Sequence, residues 1–495
     1  MINRQKMIVG IVALFMFLGT LTGFFTESPS VQAASSYSTL QNSLNSIVNS
    51  SLSGTTVSVT VRKASNGEII YSKNPELGVT PASSLKVLTA AAALDTLGEN
   101  HRFLTEVLTN GQVAKGTLYG NLYLKGTGDP TLLKKDFDHF ASILANRGVK
   151  RLSGHIVGDD TWFDSDRLSN GIAKEDESYY YAAQISALTL SPNTDYDAGS
   201  VIVEAKPSVN GRNAKVTLTP ATNVVRIINK SKTVPKGNRN TLKIQREYGT
   251  NKIIITGNVP VGSAGKKEWI AVSNPTAYAL DVFKKSLAAK GIKFVATSKV
   301  LRGKTPDNAR VLIAKKSMPL KQLMIPFLKL SNNTHAEHLA KQMGKVKYGE
   351  GSWGAGLRVM REYASSIGLD LNQWDFEDAS GMSHANKVSS SQLTLLLQKV
   401  RKEPWYGTYL KGLPIAGGSD RFVGGTLRTR MTTWPAKGNV IAKTGTLDQV
   451  SSLTGYATTR DGELLVFSIL TQNYRTSTVP TLDRMATAIA NSKRN

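Results

Sequence analysis

The sequence predicts a mixed α/β (α+β) fold, in which a mixed antiparallel sheet flanked by helices is interrupted by two inserted domains. Three observations support this prediction. The chain has 495 residues, which exceeds the size at which a single hydrophobic core stops growing. Its two ends show the same alternation of strand and helix patterns, whereas the segment between them is basic and rich in short strands. A chain that leaves a domain and later returns to it produces this arrangement.

The N-terminal segment has the pattern of a secretory signal. Arg4 and Lys6 precede an apolar run over residues 7–25, and the small residue Ala33 follows. This order predicts a signal peptide over residues 1–33 and an exported protein. The apolar run is nearly long enough to cross a bilayer, so an uncleaved anchor is the alternative. The chain has no cysteine, which for an exported protein favours a Gram-positive bacterium as its source.

Residues 34–98 are predicted to form the first part of the core domain. Apolar residues recur at helical spacing over 40–52 and alternate over 57–61, which predicts a helix followed by a strand. An Asn-Gly pair at 66–67 is a hairpin turn signal. A second, strongly apolar helix then opens at Ser83, directly after a proline-containing entry.

Residues 99–199 and 200–310 are predicted to be the two inserted domains. The first mixes short strands with one helix, and the second has several short strands separated by Gly, Asn and Pro. Residues 201–310 contain about 21 Lys and Arg against about 5 Asp and Glu. On an exported protein, this charge predicts contact with anionic cell-wall polymers or the membrane surface and not with nucleic acid; general cationic character is the alternative. Residues 311–495 complete the core domain with helices, strands and a closing helix.

Three short motifs occur in order along the chain. Ser83 and Lys86 form an S-x-x-K at the start of the apolar helix, so their side chains share one helix face, about 5–6 Å apart at Cβ. An S-x-N motif occupies residues 331–333, and a K-T-G motif within a predicted strand occupies residues 443–445. This ordered triplet is typical of serine acyl-transferring enzymes of the penicillin-binding type.

The chemistry of acyl transfer explains the residue types of the first two motifs. A serine hydroxyl is a weak nucleophile until a base removes its proton, so we expect Ser83 to be the nucleophile and Lys86 the base. A lysine acts as a base only when neutral, and burial or a second cation such as Lys443 lowers its pKa. We expect Ser331 to relay a proton to the leaving amine, and Asn333 to hold Lys86 and a substrate amide.

The third motif suits a substrate with a free terminal carboxylate. We expect Lys443 and the hydroxyls of Thr444 and Thr446 to bind that carboxylate, and Gly445 to let the substrate backbone lie against the strand. The backbone N–H groups of Ser83 and Thr446 are the candidate donors to the developing oxyanion. Loss of one such donor typically reduces the rate by about 10²–10³-fold.

Taken singly, these residues have ordinary structural explanations. Ser83 is suited to cap a helix, residues 331–333 to cap a loop, Lys86 and Lys443 to carry surface charge, and Gly445 to form a bulge. The occurrence of all three motifs in order favours the enzyme. The two alternatives are a β-lactamase on the same machinery and a non-catalytic cell-wall-binding or sensor protein.

The sequence resembles the low-molecular-mass class C penicillin-binding proteins, which are D-alanyl-D-alanine carboxypeptidases of the S13 peptidase type. The likeness includes, in order, the blocks PASSLK, KGTGDPTL, DDTWFD, SALTLSPN, SNNTHAEHLA, DASGMS, LPIAGGSD and AKTGTL, and is strongest to Bacillus-type members. The resemblance implies a penicillin-recognising serine transferase core with two inserted domains. It also implies removal of the terminal D-alanine from peptidoglycan stem peptides, cleavage of D-alanyl cross-links, and an acyl-serine that β-lactam inhibitors trap.

The resemblance further implies a site for the side chain of the third residue of the stem peptide. Relatives use the DDTWF block and the residue after K-T-G-T for this contact, which implies Trp162, Asp164 and Leu447 here. Relatives often carry an arginine after the S-G-x-S block, where this chain has His384. Because a histidine binds a carboxylate only when protonated or through a neutral hydrogen bond, the preferred side chain does not follow from the sequence.

No cofactor and no metal site are predicted. His335, Glu337 and His338 lack the H-E-x-x-H spacing of zinc proteases, so we expect them at the surface or in a supporting role. The acidic residues within 159–166 are expected to lie in a solvated loop.

Overall fold

The first described segment folds into a helix, a hairpin and a buried helix. The computed structural model describes residues 37–495, and the predicted signal peptide lies outside them. The elements of this segment are α1 (Ser38–Ser51), β1 (Thr56–Lys63), β2 (Ile69–Lys73), a 3-10 helix (Ala82–Leu85) and α2 (Lys86–Leu97). Across residues 37–495, no helix has the length and apolar character needed to cross a membrane.

The middle of the chain is built mainly from short strands. Its first part contains β3 (Leu104–Thr109), β4 (Gln112–Ala114), β5 (Thr117–Tyr119), β6 (Leu122–Gly126), α3 (Lys134–Asn146), β7 (Arg151–Leu152), β8 (Ile156–Asp159) and a 3-10 helix (Tyr180–Ala182). Its second part contains β9 (Ser200–Lys206), β10 (Lys215–Thr219), β11 (Arg226–Asn229), β12 (Lys232–Val234), β13 (Lys243–Arg246), β14 (Lys252–Thr256), β15 (Asn258–Pro260), β16 (Lys266–Ala271), α4 (Pro275–Ala289), β17 (Lys293–Phe294), β18 (Val300–Arg302) and β19 (Arg310–Lys316).

The last segment is helical before it returns to strands. Its helices and first strands are α5 (Leu320–Lys329), α6 (Asn333–Tyr348), α7 (Trp353–Ser366), a 3-10 helix (Leu371–Gln373), β20 (Trp374–Asp375), β21 (Lys387–Val388), α8 (Ser390–Lys399), a 3-10 helix (Val400–Lys402), α9 (Tyr406–Gly412) and a 3-10 helix (Gly425–Leu427). The chain then ends with β22 (Ile441–Leu447), β23 (Val450–Thr458), β24 (Leu464–Gln472) and α10 (Val479–Asn491).

Both ends of the described chain meet in one antiparallel sheet. Its strand order is β2-β1-β24-β23-β22, and every neighbouring pair is antiparallel. β1 therefore lies between its hairpin partner and the last strand of the chain. β22, which carries the K-T-G motif, lies at the edge of the sheet.

Helices cover both faces of this sheet, which confirms the predicted α+β class. Along β24, Phe467 packs with α1 and α10 on one face, and Val466 packs with α2 and α5–α8 on the other. β1 departs from the expected single apolar face, because both of its faces are buried. On the polar face of β1, Arg62 Nε donates to Thr394 Oγ1 of α8 at 2.9 Å, so α8 covers the Arg62 guanidinium.

The segment between α2 and α5 forms sheets of its own. Strands from its start and its end combine in the orders β18-β8-β6-β3-β19 and β17-β7-β5-β4. The strands between them form the smaller sheets β10-β9-β16 and β11-β14-β13 and the pair β12-β15. A further hydrophobic core, separate from the two around the large sheet, fills this region.

α2 is buried on all sides from Lys86 to Leu94. Its run of four alanines, residues 90–93, lets α5, α6 and α7 approach closely, because an alanine adds only a methyl group to the helix surface. This close packing places the first residue of α2 deep inside the protein.

Candidate active site

Ser83 lies on the 3-10 turn that leads into α2. Ala82 before it has a left-handed backbone with φ of 47°, a conformation that persists only where the surroundings fix it. The Ser452 hydroxyl of β23 supplies part of that fixation, since it donates to the Pro81 carbonyl at 2.7 Å and lies 2.8 Å from Ser84 Oγ. Ser83 does not cap the helix, because neither the 3-10 helix nor α2 has a side-chain cap.

Lys86, the first residue of α2, is fully buried and contacts the Ser83 hydroxyl. Its Nζ lies 2.8 Å from Ser83 Oγ, 2.6 Å from Asn333 Oδ1 and 2.6 Å from the Ser380 carbonyl oxygen. The last two oxygens only accept hydrogen bonds, whereas a hydroxyl both donates and accepts. A neutral Lys86 amine therefore gives its two N–H groups to Asn333 and Ser380 and directs its lone pair at Ser83.

The environment of Lys86 favours its neutral form. Burial lowers the pKa of Lys86 from its ordinary 10.5 to about 7, and the carboxylates of Asp378 and Glu337 oppose this shift. Of the two causes expected from the sequence, burial and the charge of Lys443, burial is the largest. Near neutral pH, a substantial fraction of the Lys86 amine is thus able to accept a proton.

The second motif contacts the same lysine. Ser331 has a left-handed backbone with φ of 59°, and Asn332 caps α6. Asn333 Oδ1 accepts from Lys86 as expected, but its Nδ2 donates to the Tyr181 carbonyl at 2.8 Å. The amide nitrogen of Asn333 carries a second N–H group and Asn333 lines the cavity, so its expected contact with a substrate amide stays a prediction.

The third motif reaches the second through its lysine. Lys443 Nζ donates to Ser331 Oγ at 2.7 Å and to the Thr444 carbonyl at 2.7 Å. Burial, with the neighbouring charge of Lys86, holds the pKa of Lys443 well below its ordinary value. The Thr444 hydroxyl donates to Thr426 Oγ1 at 2.8 Å, so it is engaged with the protein.

Gly445 has a different role from the one expected. A Cβ added there would lie 2.2 Å from Ser452 Oγ, 2.8 Å from the Pro81 carbonyl oxygen and 2.9 Å from Ala82 Cβ. The absent side chain therefore lets β22 pack against the turn that carries the nucleophile, and does not make room for a substrate.

The three motifs converge on one cavity of about 480 Å³. Ser83, the S-x-N motif and the residues that directly follow K-T-G contribute to its wall, and the side chain of Thr446 at the sheet edge is exposed into it. The sequence-predicted residues that line it are Ser83, Ser331, Asn333, His384, Thr446 and Leu447.

A family model described as the D-Ala-D-Ala carboxypeptidase 3 (S13) family matches residues 40–493. The chain belongs to this family. It is 40% identical over 425 residues to a D-alanyl-D-alanine carboxypeptidase of Actinomadura sp. (strain R39), covering 86% of this chain and 79% of that one. It is 26% identical over 433 residues to the D-alanyl-D-alanine carboxypeptidase DacB of Haemophilus influenzae, covering 86% of each. The protein is thus a serine-type D-Ala-D-Ala carboxypeptidase.

A solved structure has the same fold as this S13 carboxypeptidase. The crystal structure of penicillin binding protein 4 (dacB) from Haemophilus influenzae superimposes with a TM-score of 0.76 at 24% identity, covering 90% of this chain and 97% of that one. The predicted penicillin-recognising core is confirmed by this likeness.

Several cavity residues of the carboxypeptidase were missed by the sequence analysis. They come from the loop before β9, from the DASGMS block and from the turn after β22, and they include Asp176, Tyr180, Tyr181, Asp197, Met382 and Asp448. The only sequence signal was the run of three tyrosines at 179–181 beside acidic residues. Such a run has no helical or strand period from which its position could be inferred.

Trp162 and Asp164 do not reach the cavity, so their predicted contact with the substrate side chain is corrected. Trp162 Nε1 donates to Gln342 Oε1 at 2.9 Å, and Asp164 accepts from Lys341 Nζ at 2.5 Å. Lys341 lies eight residues beyond Asn333 in α6, which is about 12 Å along the helix axis. The buried ammonium of Lys341 needs a counter-charge, and Asp164 provides it.

Of the two positions expected for the histidines, the surface is excluded, and two of the four acidic residues within 159–166 are not solvated. His335 and His338 are fully buried in α6. Asp159 and Asp160 are buried as well, and Asp160 is paired with Arg167 Nη2 at 2.8 Å and Arg302 Nε at 2.7 Å. No cluster of three or more His, Asp or Glu residues positioned to hold a metal occurs within residues 37–495.

Proposed function

We propose that this carboxypeptidase removes the terminal D-alanine from peptidoglycan stem peptides by acylation of Ser83, with Lys86 as the base. The observation that carries the proposal is the contact of 2.8 Å between Lys86 Nζ and Ser83 Oγ, with both remaining partners of Nζ being pure acceptors. In the first step, Ser83 Oγ attacks the carbonyl carbon of the penultimate D-alanine. Its proton passes to the lone pair of Lys86, which becomes an ammonium.

The second and third motifs are suited to the departing D-alanine. The amine of the leaving group takes a proton from the Ser331 hydroxyl, and Lys443 Nζ, 2.7 Å away, replaces that proton. The terminal carboxylate of the substrate binds beside Lys443 and the exposed hydroxyl of Thr446, and so supplies the counter-charge that buried Lys443 lacks. Thr444 contributes less than expected because its hydroxyl is engaged by Thr426. The N–H groups of Ser83 and Thr446 receive the oxyanion.

The acidic lining of the cavity favours a cationic group on the stem peptide. Asp176 and Asp448 both line it, and Asp176 accepts from the Tyr181 hydroxyl at 2.8 Å. Burial raises the pKa of Asp197, a third carboxyl group of the lining, to about 7, so the negative charge comes mainly from the other two. We therefore infer that the third residue of the preferred peptide carries a free amino group. D-alanine release should be faster from a peptide with a free lysine ε-amine than from its Nε-acetylated form, and equal rates would contradict the inference.

A D,D-endopeptidase activity on cross-links is part of the proposal, because a cross-link presents the same D-alanyl carbonyl with a longer leaving group. The runner-up is a β-lactamase on the same machinery. The two differ in the fate of the acyl-serine: we expect a long-lived penicilloyl adduct, whereas hydrolysis of nitrocefin at many turnovers per second would favour the β-lactamase.

We place the enzyme outside the cell, at the wall or the outer face of the membrane of a Gram-positive bacterium. The signal pattern of the N-terminal segment supports export. The strand-rich middle has many exposed basic side chains that suit anionic cell-wall polymers, among them Lys215, Lys230, Lys232, Lys236 and Lys243. Binding to purified wall polymer should weaken steeply as salt rises; salt-independent or absent binding would contradict this partner.

The central experiment is mass spectrometry after penicillin treatment. We expect one covalent adduct, on Ser83, and release of D-alanine from diacetyl-L-Lys-D-Ala-D-Ala. Ser83→Ala should abolish both. Ser365→Ala, at an exposed serine of α7, is the matched control and should keep both. An adduct on another residue, or D-alanine release by Ser83→Ala, would overturn the assignment of the nucleophile.

A further inference from the structure

Two buried carboxylates hold a short loop beside the active site, formed by residues 378–383. Glu337 of α6 accepts from the backbone N–H of Ser380 at 2.9 Å and of Ala379 at 3.3 Å. Asp378 accepts from the N–H groups of Gly381 and Ser383, each at 2.7 Å. Hydrogen bonds to two acidic side chains therefore hold the loop in place.

The same loop contacts both the base and the nucleophile turn. Its Ser380 carbonyl accepts from Lys86 Nζ at 2.6 Å, and its Ala379 carbonyl accepts from Thr89 Oγ1 at 2.6 Å. A Cβ added to Gly381 would lie 1.9 Å from the Ala82 carbonyl oxygen, so the loop backbone touches the residue before Ser83. Any movement of the loop would consequently displace a partner of Lys86.

Both carboxylates have only hydrogen-bond donors as partners within the described residues. Besides the loop N–H groups, Glu337 accepts from Trp353 Nε1 at 2.7 Å and Asp378 from Asn386 Nδ2 at 2.9 Å. Burial raises the pKa of both carboxyl groups, but a protonated carboxyl would have no acceptor for its hydrogen. The donor-only surroundings thus favour anions, which face the two buried lysines.

The charged groups around Lys86 come from three elements. α6 contributes Glu337, the loop contributes Asp378, and β22 contributes Lys443, whose pKa Lys86 lowers. Two other titratable side chains on helices packed against α2 donate to backbone carbonyls outside α2: Lys329 of α5 to Leu413, and Arg361 of α7 to Phe376. The hydroxyl of Tyr409 of α9 donates to the carbonyl of Val87, next to Lys86 in α2, and burial raises the pKa of Tyr409 so that it carries no charge. The two carboxylates are therefore the nearby negative charges that act on Lys86.

We propose that Asp378 and Glu337 are positioning residues for the base: they hold the Ser380 carbonyl against Lys86 and, as buried anions, stabilise the ammonium that Lys86 forms when it takes the Ser83 proton. This inference rests on the proposed role of Lys86. It makes the carboxylates part of the acylation step although neither touches the substrate.

Loss of either carboxylate charge has two consequences, one for the pKa of Lys86 and one for the acylation rate. Without one anion the Lys86 ammonium is less stable, so more of the amine is neutral at acidic pH. The same change makes Lys86 a weaker base, which lowers the maximal acylation rate. A variant that merely loosened the structure would reduce the rate at every pH and leave the midpoint of the pH profile in place.

The test is the rate of acylation by a fluorescent penicillin, measured from about pH 5 to about pH 9. For the wild type we expect the rate to rise with a midpoint near pH 7, where Lys86 titrates. For Asp378→Asn and Glu337→Gln we expect the midpoint to fall by about one pH unit and the plateau to fall by about threefold or more. Glu337→Asp, which keeps the charge, should retain the wild-type midpoint.

The matched control is Glu177→Gln, which neutralises a buried carboxylate paired with Arg246, away from Lys86. It should keep the wild-type midpoint. If Asp378→Asn does not fold, Glu337→Gln and Glu337→Asp still decide the question. If the neutral variants keep the wild-type midpoint, the inference about the two carboxylates is wrong but Lys86 remains the base. If the wild-type profile has no midpoint near pH 7, the assignment of Lys86 as the base is itself wrong.

Discussion

Gly445→Ala should slow the acylation of Ser83 through steric displacement alone. Gly445 lies in the extended strand β22, so alanine needs no unusual backbone there. The added Cβ, however, would lie 2.2 Å from Ser452 Oγ and 2.8 Å from the Pro81 carbonyl oxygen. Rotation of Ser452 would relieve the first contact, but it would break the hydrogen bond of 2.7 Å to Pro81 that holds the nucleophile turn.

The magnitude follows from the second contact. Ordinary van der Waals contact begins at 3.4 Å, so Pro81 must retreat by about 0.6 Å, and Ser83, two residues along the same turn, moves with it. A misplacement of about 1 Å at reacting groups reduces rates by about 10²-fold, so we expect a loss of about ten- to a hundredfold.

The assay is the second-order rate of labelling by a fluorescent penicillin at neutral pH, with circular dichroism to confirm the fold. Gly354→Ala is the matched control, because it adds the same methyl group in α7, where no heavy atom lies within 4 Å. The control should label at the wild-type rate. Wild-type labelling by Gly445→Ala would refute the reasoning, since it would show that the turn tolerates the displacement.

Two further predictions concern stability. Burial lowers the pKa of His335 to about 3, and its one hydrogen-bond partner within residues 37–495 is the Tyr196 carbonyl. In the unfolded chain this histidine binds a proton near pH 6.5. The contribution of neutral His335 to the unfolding free energy is therefore complete above that pH and is lost as the pH falls toward 3. When the pH is lowered from about 7 to about 4, the unfolding free energy of His335→Gln should fall by about 3 kcal/mol less than that of the wild type, as measured by urea titration. If both proteins lose the same unfolding free energy, His335 is not a neutral buried side chain. Arg246→Met should lower the unfolding free energy by about 3–5 kcal/mol, since it leaves Glu177 buried without its partner. Glu247→Gln removes an exposed ion pair with Lys252 and should leave the unfolding free energy unchanged within error. If the two variants lose the same unfolding free energy, burial does not determine the strength of these ion pairs.

The sequence was informative wherever chemistry depends on residue type and order. Ser83, Lys86, Ser331 and Lys443 were identified from three short motifs, and in the structure Lys86 contacts Ser83 and Lys443 contacts Ser331. The flanking strands and helices were predictable because their apolar periods are regular. The family resemblance supplied the interrupted topology, which no local pattern contains.

The sequence was uninformative wherever a role depends on which neighbour a side chain meets. Gly445 looked like room for a substrate until the nucleophile turn was found against it. The Tyr181 carbonyl, which accepts from Asn333 Nδ2, could not be inferred from the S-x-N motif. Glu337 and Asp378 lie 41 residues apart in sequence and share one loop only through folding. Spacing along the chain cannot predict such contacts between distant segments.

The strand order of the large sheet also bears on when the enzyme can become active. β1 ends at Lys63 and its inner neighbour β24 begins at Leu464, so β1 is synthesised long before its partner. A nascent chain that has not reached residue 464 has two unpaired strand edges, one on β1 and one on β23, where β24 belongs. The serine–lysine pair therefore lacks its completed sheet until β24 has been synthesised and has paired with both of these strands.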